Sequence, residues 1–368
     1  MKTNKLIIVL KHTIIFIGLA SGVSTINAGE LDAPPDFTVT AKEKTAALEG
    51  VVSQLNSFYI FPDIAKNMGS DIHKRMDNHE YDSITSAQEF SKKLTADLFA
   101  VCHDKHLRVF YDTKGVPNFP YPRPQPSSQE KHRLHQEMGK LNFGFNQAKL
   151  MPGNIGYLDI RGFFPLEFGA DTASATMSFI GNTGVLIIDL RHNNGGDPAM
   201  VAYTLSYLFD QPTHLNDISE RDGKNDKLQQ WWSLTTTPGI RYGGTKPIYV
   251  LTSKDTFSAG EEFAYDLKNL KRATLIGETT GGGANPQRPV KVSQHFAIGL
   301  PFARAINPIS KTNWEGVGVA PDIATSADKA LNLAYKMSLE TQLKHTSDPK
   351  EIEQLKKYIS ESTAQDGI

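Results

Sequence analysis

Two segments near the start of the chain place apolar side chains at helical spacing. They cover residues 40–55 and 86–99, and a short strand-like run follows at residues 106–111. Five prolines between residues 115 and 128 then interrupt regular structure. This order predicts a small helical domain that ends in a strand and is followed by a proline-rich linker.

From about residue 141 the pattern changes to short apolar runs that alternate with helical segments. Runs that are apolar at nearly every position are typical of strands buried on both faces of a sheet. The alternation therefore predicts an α/β domain, and a charged helical tail follows it. The strand candidates are residues 156–160, 184–190, 247–252 and 273–277, the helix candidates are residues 171–180, 200–209 and 260–270, and the tail covers residues 326–362.

The first 28 residues have the pattern of a secretory signal. Lys2 and Lys5 give a basic start, residues 14–20 an apolar centre, and residues 26–28 a candidate cleavage site. The apolar run is shorter than the ~20 residues of a membrane-spanning helix. We therefore expect an exported protein, periplasmic or secreted, without stable membrane insertion, and an uncleaved anchor is the alternative. The predicted segments are a signal peptide at 1–28, a helical domain at 29–112, a linker at 113–140, a catalytic domain at 141–330 and a helical tail at 331–368.

Composition narrows the classes of function. The 368 residues are 39% hydrophobic and 21% charged, enough for one large core or a main domain with a satellite. Residues 1–28 hold three lysines and no acids, so their removal changes the formal charge from -1 to -4. This slightly acidic balance gives no electrostatic basis for nucleic-acid binding. Cys102 is the only cysteine, so the chain forms no internal disulfide.

Ser258 is the leading candidate for a nucleophile. It follows the apolar run at 247–252 and precedes a helix predicted to begin near Gly260. The start of a helix offers N–H groups that can stabilise an oxyanion. The segment resembles a G-x-S-x-G nucleophile elbow, although Thr256 replaces the first glycine. A simple helix-capping serine is the alternative.

The paired glycines Gly195 and Gly196 follow the apolar run at 184–190. Without a Cβ, such residues can turn backbone N–H groups toward a substrate carbonyl. An ordinary turn is the alternative reading of the same pair.

Four motifs together resemble the C-terminal processing (tail-specific) peptidase family over about residues 40–330. They are DLRHNNGG at 189–196, TFSAGEEF at 256–263, GETTGGGA at 277–284 and WEGVGVAPDI at 314–323. Residues 142–164 resemble more narrowly the bacterial relatives of interphotoreceptor retinoid-binding protein. The resemblance implies a crotonase-like (Clp protease-like) spiral α/β domain preceded by a helical domain. It also implies a serine peptidase that acts on peptides or proteins and needs no cofactor.

The resemblance implies roles for individual residues. Ser258 would be the nucleophile, and the Ala259 N–H with the Gly195 and Gly196 backbone would form the oxyanion hole. Gly283 stands where these peptidases carry a lysine base in a GKG motif, so a Ser-Lys pair is excluded. The short, proline-rich stretch between residues 112 and 156 also leaves no room for a PDZ domain.

The tricorn-like branch of the family supplies another base. Its members use a histidine from the helical domain and a late glutamate, and His106 and Glu315 stand at the matching positions. Ser258 would attack, His106 would take and return the proton, and Glu315 would hold the imidazole. Lys105 replaces the serine that tricorn-like enzymes have before the histidine.

Other side chains offer weaker alternatives. His103 competes with His106 for the role of base. A metal cluster of Cys102, His103 and His106 lacks the usual ligand spacing, so we expect no metal. Lys268 and Lys271 lie on the helix after Ser258 and are expected to face solvent.

Four residues beside the glycine cluster are expected to bind substrate: Thr279, Thr280, Gly281 and Gly282. A role as turn residues is equally compatible with the pattern. The segment is not a phosphate-binding loop, because it lacks the lysine and hydroxyl that follow the glycines of a P-loop.

The leading hypothesis is an exported serine peptidase with a Ser258, His106 and Glu315 triad. The alternatives are a non-catalytic protein that binds a hydrophobic ligand such as a retinoid or lipid, and an esterase that uses the same site. No pattern in the sequence defines an oligomeric state.

Overall fold

The computed structural model describes residues 35–122, 124–221 and 226–365. The predicted signal peptide, residues 1–28, lies outside these ranges. Within them, no helix combines the length and apolar character needed to cross a membrane. The chain forms two compact units, the first comprising residues up to 125 with 218–229 and 285–305, and the second 126–217, 230–284 and the residues from 306 onward.

In chain order the elements are α1 (Ala41–Phe58), α2 (Pro62–Asp77), α3 (Ala87–Cys102), β1 (Arg108–Tyr111), α4 (Ser128–Gly139), β2 (Phe145–Met151), β3 (Ile155–Ile160), α5 (Leu166–Ile180), β4 (Val185–Asp189), α6 (Pro198–Leu205), β5 (His214–Glu220), β6 (Lys227–Trp232), β7 (Ile248–Thr252), α7 (Ala259–Asn269), β8 (Thr274–Gly277), β9 (Gln287–Lys291), β10 (Phe296–Pro301), β11 (Ala303–Ile306), β12 (Ile323–Ala324), α8 (Ala327–His345) and α9 (Pro349–Gln365). Two 3-10 turns lie at Asn142–Gly144 and Ser206–Leu208.

The first unit packs α1, α2 and α3 against an antiparallel sheet of order β1-β10-β9. The free edge of β1 is closed by two hydroxyl groups of α3. Ser91 Oγ donates to the Val109 carbonyl at 2.6 Å, and the Val109 N–H donates to Thr95 Oγ1 at 2.9 Å. These bonds satisfy the strand groups that a neighbouring strand would otherwise pair with.

The second unit contains a six-stranded sheet of order β12-β8-β7-β4-β3-β2. Only β2 runs antiparallel to its neighbour, and the other adjacent pairs are parallel. Strands β3, β4 and β7 are buried along their whole length, as their continuous apolar runs predicted. The segments after β4 and β7 leave the same edge of the sheet, which is where α/β folds usually bind ligands.

Helices α8 and α9 cover one face of this sheet. Alternate strand residues such as Ile187 and Tyr249 form a core with Ala334, Leu339 and Leu355. The charged tail of the sequence is therefore a helix pair with one apolar side. Most charged side chains of the two helices are exposed to solvent.

The prediction of an α/β fold with a helical amino-terminal region is confirmed. The linear boundaries differ from the structural division, because β9 and β10 belong to the first unit although they lie inside residues 141–330. Helix α4 also occupies part of the predicted linker. The pairing of β1 with β10 joins residues that are far apart in sequence, which local hydrophobic spacing does not encode.

Candidate active site

Ser258 occupies a strained corner between β7 and α7. Its φ and ψ angles are 56° and -122°, a combination that residues with a side chain rarely adopt. Two hydrogen bonds join the corner to the segment at the end of β4. Thr256 Oγ1 donates to the Leu190 carbonyl at 2.7 Å, and the Phe257 N–H donates to the Asn193 carbonyl at 2.9 Å. The side chain of Ser258 is therefore presented at the edge of the sheet by contacts outside its own helix.

Glu261 is the main support of this corner, and it was not singled out from the sequence. Its carboxylate accepts the Ser258 N–H at 2.9 Å and the Thr280 hydroxyl at 2.5 Å. It also accepts the Gly282 and Gly283 N–H groups at 2.6 and 2.8 Å. Burial raises the pKa of Glu261 to about 7, and the four donors oppose that rise. The spacing Ser-x-x-Glu at the start of a helix was the available signal.

The glycine loop, residues 281–283, is hydrogen-bonded to the segments around it, as is the adjacent Thr280. Beyond its bond to Glu261, Thr280 Oγ1 accepts the Val319 N–H at 2.7 Å. The Gly282 carbonyl accepts the Gly316 N–H at 3.1 Å, and the Gly283 carbonyl accepts Trp314 Nε1 at 2.7 Å. These contacts join the GETTGGGA and WEGVGVAPDI motifs.

The four residues expected to bind substrate differ in whether their polar groups are already hydrogen-bonded within the protein. The Thr280 hydroxyl and the Gly282 N–H are engaged inside the protein, so these polar groups do not face a substrate. The Gly281 N–H donates to the Thr256 carbonyl at 2.9 Å. Thr279 is exposed, and its role in substrate binding stays a prediction.

The glycine pair lies against the Ser258 corner. A Cβ atom on Gly195 would stand 2.7 Å from Ser258 Cβ, and one on Gly196 would stand 1.9 Å from the Phe163 carbonyl oxygen. Their φ angles of 96° and 143° also disfavour other residues. Only glycine allows this close approach.

One hydrogen bond reduces the number of N–H groups that could stabilise an oxyanion. The Gly195 N–H donates to Asn193 Oδ1 at 2.9 Å, so it is not available to an oxyanion. The N–H groups of Gly196 and Ala259 have no acceptor within residues 35–122, 124–221 and 226–365. Gly195 therefore contributes by making space, and Gly196 and Ala259 are the remaining candidate donors.

Asn193 organises this part of the site, and it too was missed. It is fully buried, and its Nδ2 donates to the Ile160 carbonyl at 2.9 Å while its Oδ1 accepts the Gly195 N–H. Its own carbonyl accepts the Phe257 N–H. One residue thus joins the end of β3, the glycine turn and the residue before Ser258, through its side chain and its backbone carbonyl.

Glu315 lies in the same unit as Ser258. Its Oε2 accepts the Ala284 N–H at 2.6 Å, and its backbone N–H donates to Asn313 Oδ1 at 3.0 Å. The adjacent Trp314 is buried and bonded to Gly283. The carboxylate is therefore fixed to the end of the glycine loop that also supports Ser258.

His106 belongs to the first unit and is buried there. Asp104, missed in the sequence, accepts the backbone N–H of His106 at 2.9 Å through Oδ1 and Asn285 Nδ2 at 2.9 Å through Oδ2. Burial lowers the pKa of His106 to about 3, and the charge of Arg108 acts in the same direction. The imidazole is therefore neutral at physiological pH, the form that can accept a proton. Its meeting with Ser258 stays a prediction.

The alternative bases are less suited. His103 is exposed at the end of α3, with a φ of 54°. Lys268 is ten residues from Ser258, or ~15 Å along a helix. Its Nζ donates to the Ala320 carbonyl at 2.5 Å and forms an ion pair with Asp322 at 3.2 Å. Lys271 lies beyond the end of α7.

Comparison with known families covers most of the chain. Residues 154–325 match the profile of peptidase family S41, and residues 38–139 match the N-terminal domain of Peptidase_S41 in eukaryotic IRBP. The first match contains all four motifs, and the second covers the helical region that the resemblance placed before the catalytic domain.

Two relatives by sequence are processing peptidases. The chain is 29% identical over 182 residues to carboxyl-terminal-processing peptidase 2, chloroplastic, of Arabidopsis thaliana, which covers 46% of this chain and 31% of that protein. It is 27% identical over 206 residues to the carboxy-terminal processing protease CtpB of Bacillus subtilis, covering 55% and 40%. The chain thus spans well under half the length of these relatives.

Two solved structures share the fold. A candidate peptidase from Parabacteroides merdae superposes with a TM-score of 0.56 at 17% identity, covering 80% of this chain and 96% of that one. A lipoprotein from Streptococcus agalactiae superposes with a TM-score of 0.50 at 13% identity, covering 87% and 99%. At such low identity the likeness establishes the architecture alone.

Proposed function

Because this chain belongs to peptidase family S41, we propose that it hydrolyses peptide bonds through an acyl-enzyme on Ser258. The observation that carries the proposal is the strained Ser258 corner, with the Ala259 N–H beside it and the Gly196 N–H in the adjoining turn. A nucleophile next to N–H groups without acceptors is the arrangement that acyl transfer requires. The substrate would be a peptide or protein, as the names of the processing relatives suggest.

In the proposed reaction, Ser258 Oγ attacks the carbonyl carbon of the scissile bond. The carbonyl oxygen becomes an oxyanion that accepts hydrogen bonds from the Ala259 and Gly196 N–H groups. The amine then leaves with a proton, and water hydrolyses the ester on Ser258. These donors are fixed before reaction by Glu261 and Asn193, so they need little reorganisation as charge develops.

His106 is the proposed general base and acid. It would take the Ser258 hydroxyl proton and return it to the leaving amine, while Glu315 orients the imidazole and stabilises its charged form. The neutral imidazole of His106 and the fixed carboxylate of Glu315 support these roles. In this assignment His106 takes the role of the family's lysine base, because Gly283 stands at the position of that lysine.

We also propose that the protein is exported. The basic, apolar and small-residue pattern of residues 1–28 supports this location. Export would place the proposed peptidase among extracytoplasmic peptide or protein substrates. Mass determination of the mature amino terminus after expression in a bacterial host is the direct measurement, and cleavage after Ala28 is the expected result.

Labelling with a fluorophosphonate probe tests the nucleophile. We expect wild-type protein to react and Ser258→Ala to stay unlabelled, because the probe forms a covalent bond with an activated serine hydroxyl. Ser57→Ala is the matched control, since Ser57 is an exposed serine on α1 and its removal should leave labelling unchanged. Labelling of Ser258→Ala at the wild-type rate would refute the assignment.

Peptide and ester substrates with the same acyl group separate a peptidase from an esterase. A peptidase should hydrolyse both the amide and the ester with a measurable kcat/KM. Its site holds a general acid that returns a proton to the leaving amine. Hydrolysis of the ester alone would favour the esterase. Absence of both activities, together with a stoichiometric lipid in the natively purified protein, would favour a hydrophobic ligand carrier.

Asn193→Ala should lower kcat by about 10²-fold with a smaller change in KM, because the glycine turn loses the acceptor that orients it. Asn193→Asp keeps the acceptor oxygen but loses the bond from Nδ2 to the Ile160 carbonyl, so an intermediate kcat is expected. Steady-state kinetics with one peptide measures both variants. A wild-type kcat in Asn193→Ala would rule out this positioning role.

A further inference from the structure

Two further acids of α7, Glu262 and Asp266, are buried one helical turn apart. Both side chains are enclosed in the second unit, and residues at this spacing lie on the same face of a helix. No ion pair involves either carboxyl group in the described part of the chain. The proposed reaction uses neither residue, although α7 begins with the nucleophile corner.

The surroundings give these two groups few donors. Asn216 Nδ2 donates to Glu262 Oε1 at 3.1 Å, and Asn307 Nδ2 donates to Asp266 Oδ1 at 3.2 Å. Within the described residues, Asp266 Oδ2 has no hydrogen-bond partner. Glu261, next along the helix, receives four donors. The contrast lies in the donors: both oxygens of Glu261 accept hydrogen bonds, whereas Glu262 and Asp266 receive one side-chain donor each.

The charged groups around the pair do not offset two negative charges. Asp197, at the start of α6, adds a further acid and raises the pKa of Glu262. From β5, His214 and Asp217 bind each other at 2.6 Å. Strand β8 carries no titratable side chain.

Two cations lie near the far end of the helix and are engaged elsewhere. Lys268 binds Asp322 and the Ala320 carbonyl. The guanidinium of Arg272 donates to the carbonyls of Leu208, Gly243 and Lys246. Neither cation is therefore directed at the buried acids.

We propose that Glu262 and Asp266 together retain at least one proton in the folded protein, and that losing it at alkaline pH loosens α7 and the Ser258 corner. One retained proton removes the repulsion between two buried like charges on the same face of the helix. Burial raises the pKa of Glu262 to about 7 and that of Asp266 well above its usual value. The device is independent of whether Ser258 carries out peptide hydrolysis.

The direction of the pH effect follows from proton binding. The unfolded chain releases these protons near pH 4, whereas the folded pair retains one to about pH 7 or above. Unfolding therefore releases a proton in this range, and the pair's contribution to stability is lost as pH rises through the folded pKa. The unfolding constant should increase by up to about tenfold per pH unit for each proton released.

Urea unfolding between pH 5 and 9 tests the proposal. Glu262→Gln with Asp266→Asn should lose this part of the pH slope, whereas the control Asp171→Asn, an exposed acid on α5, should keep it. The two single variants serve if the double variant does not fold. A double variant with the wild-type slope, or wild-type slopes in both single variants, would overturn the retained proton.

Two measurements on the wild-type protein complete the test and need no variant. Infrared difference spectra should show a protonated carboxyl band that disappears at alkaline pH. Hydrogen exchange, corrected for the intrinsic pH dependence, should show loss of protection in residues 258–266 over the same range. A protonated band absent at pH 6, or exchange protection in α7 that is constant with pH, would contradict the proposal.

Discussion

Replacing Ser258 with alanine should lower kcat for peptide hydrolysis by about 10⁴-fold or more, and replacing His106 with alanine should have a similar effect. Groups that act as one catalytic unit lose most of their contribution when any essential member is removed. The double variant should therefore be little worse than either single variant. Steady-state kinetics on one peptide, with the wild-type protein and the three variants at equal concentration, measures the three losses.

The control for this comparison is His103→Ala, because His103 is exposed at the end of the helix that precedes His106. It should leave kcat within about twofold of wild type, since surface substitutions away from a site have small effects. Losses that multiply in the double variant would mean that Ser258 and His106 act independently. Full activity in His106→Ala would assign the base elsewhere.

Glu261→Ala should both destabilise the protein and abolish turnover. Four donors lose their acceptor in a buried site, and each such loss costs roughly 1–3 kcal/mol. We therefore expect the free energy of unfolding to fall by at least about 3 kcal/mol, with partial compensation where water enters. Urea unfolding at pH 7 gives the loss of stability, and fluorophosphonate labelling of the folded fraction reports the Ser258 corner.

Two conservative variants make the prediction specific. Glu261→Gln keeps one acceptor oxygen but turns an NH₂ group toward two N–H donors, so it should lose part of the stability and most of the labelling. Glu262→Gln changes the neighbouring residue, which receives one donor from Asn216, and should change labelling little at pH 7. Equal behaviour of the two Gln variants would show that the four-donor site has no special role.

Much of the Ser258 corner could be predicted from the local sequence. A buried apolar run, a serine and small residues before a helix already indicated a turn at Ser258, and the φ of 56° agrees with it. The supports of that corner could not be found in this way. Glu261 lies three residues from Ser258, but its importance depends on Thr280 and Gly282, which only the folded chain brings to it.

The glycine pair illustrates the same limit. The sequence indicated that the paired glycines could turn backbone N–H groups toward a substrate carbonyl, and in the structure Gly195 lies directly against Ser258. Which N–H groups remain available is a question of partners. The side chain of Asn193 takes the N–H of Gly195, and that bond forms inside the turn with no periodic signal.

The sequence by itself determined the alternation of strands and helices, the turn at Ser258 and the family, because hydrophobic period, turn chemistry and short motifs are local properties. The tertiary structure alone decided that β9 and β10 join β1, that Glu261 is satisfied by four donors and that Glu262 and Asp266 are not. Hydrogen-bond partners and desolvation arise from residues distant along the chain, so burial and partner number set the charge state of each acid.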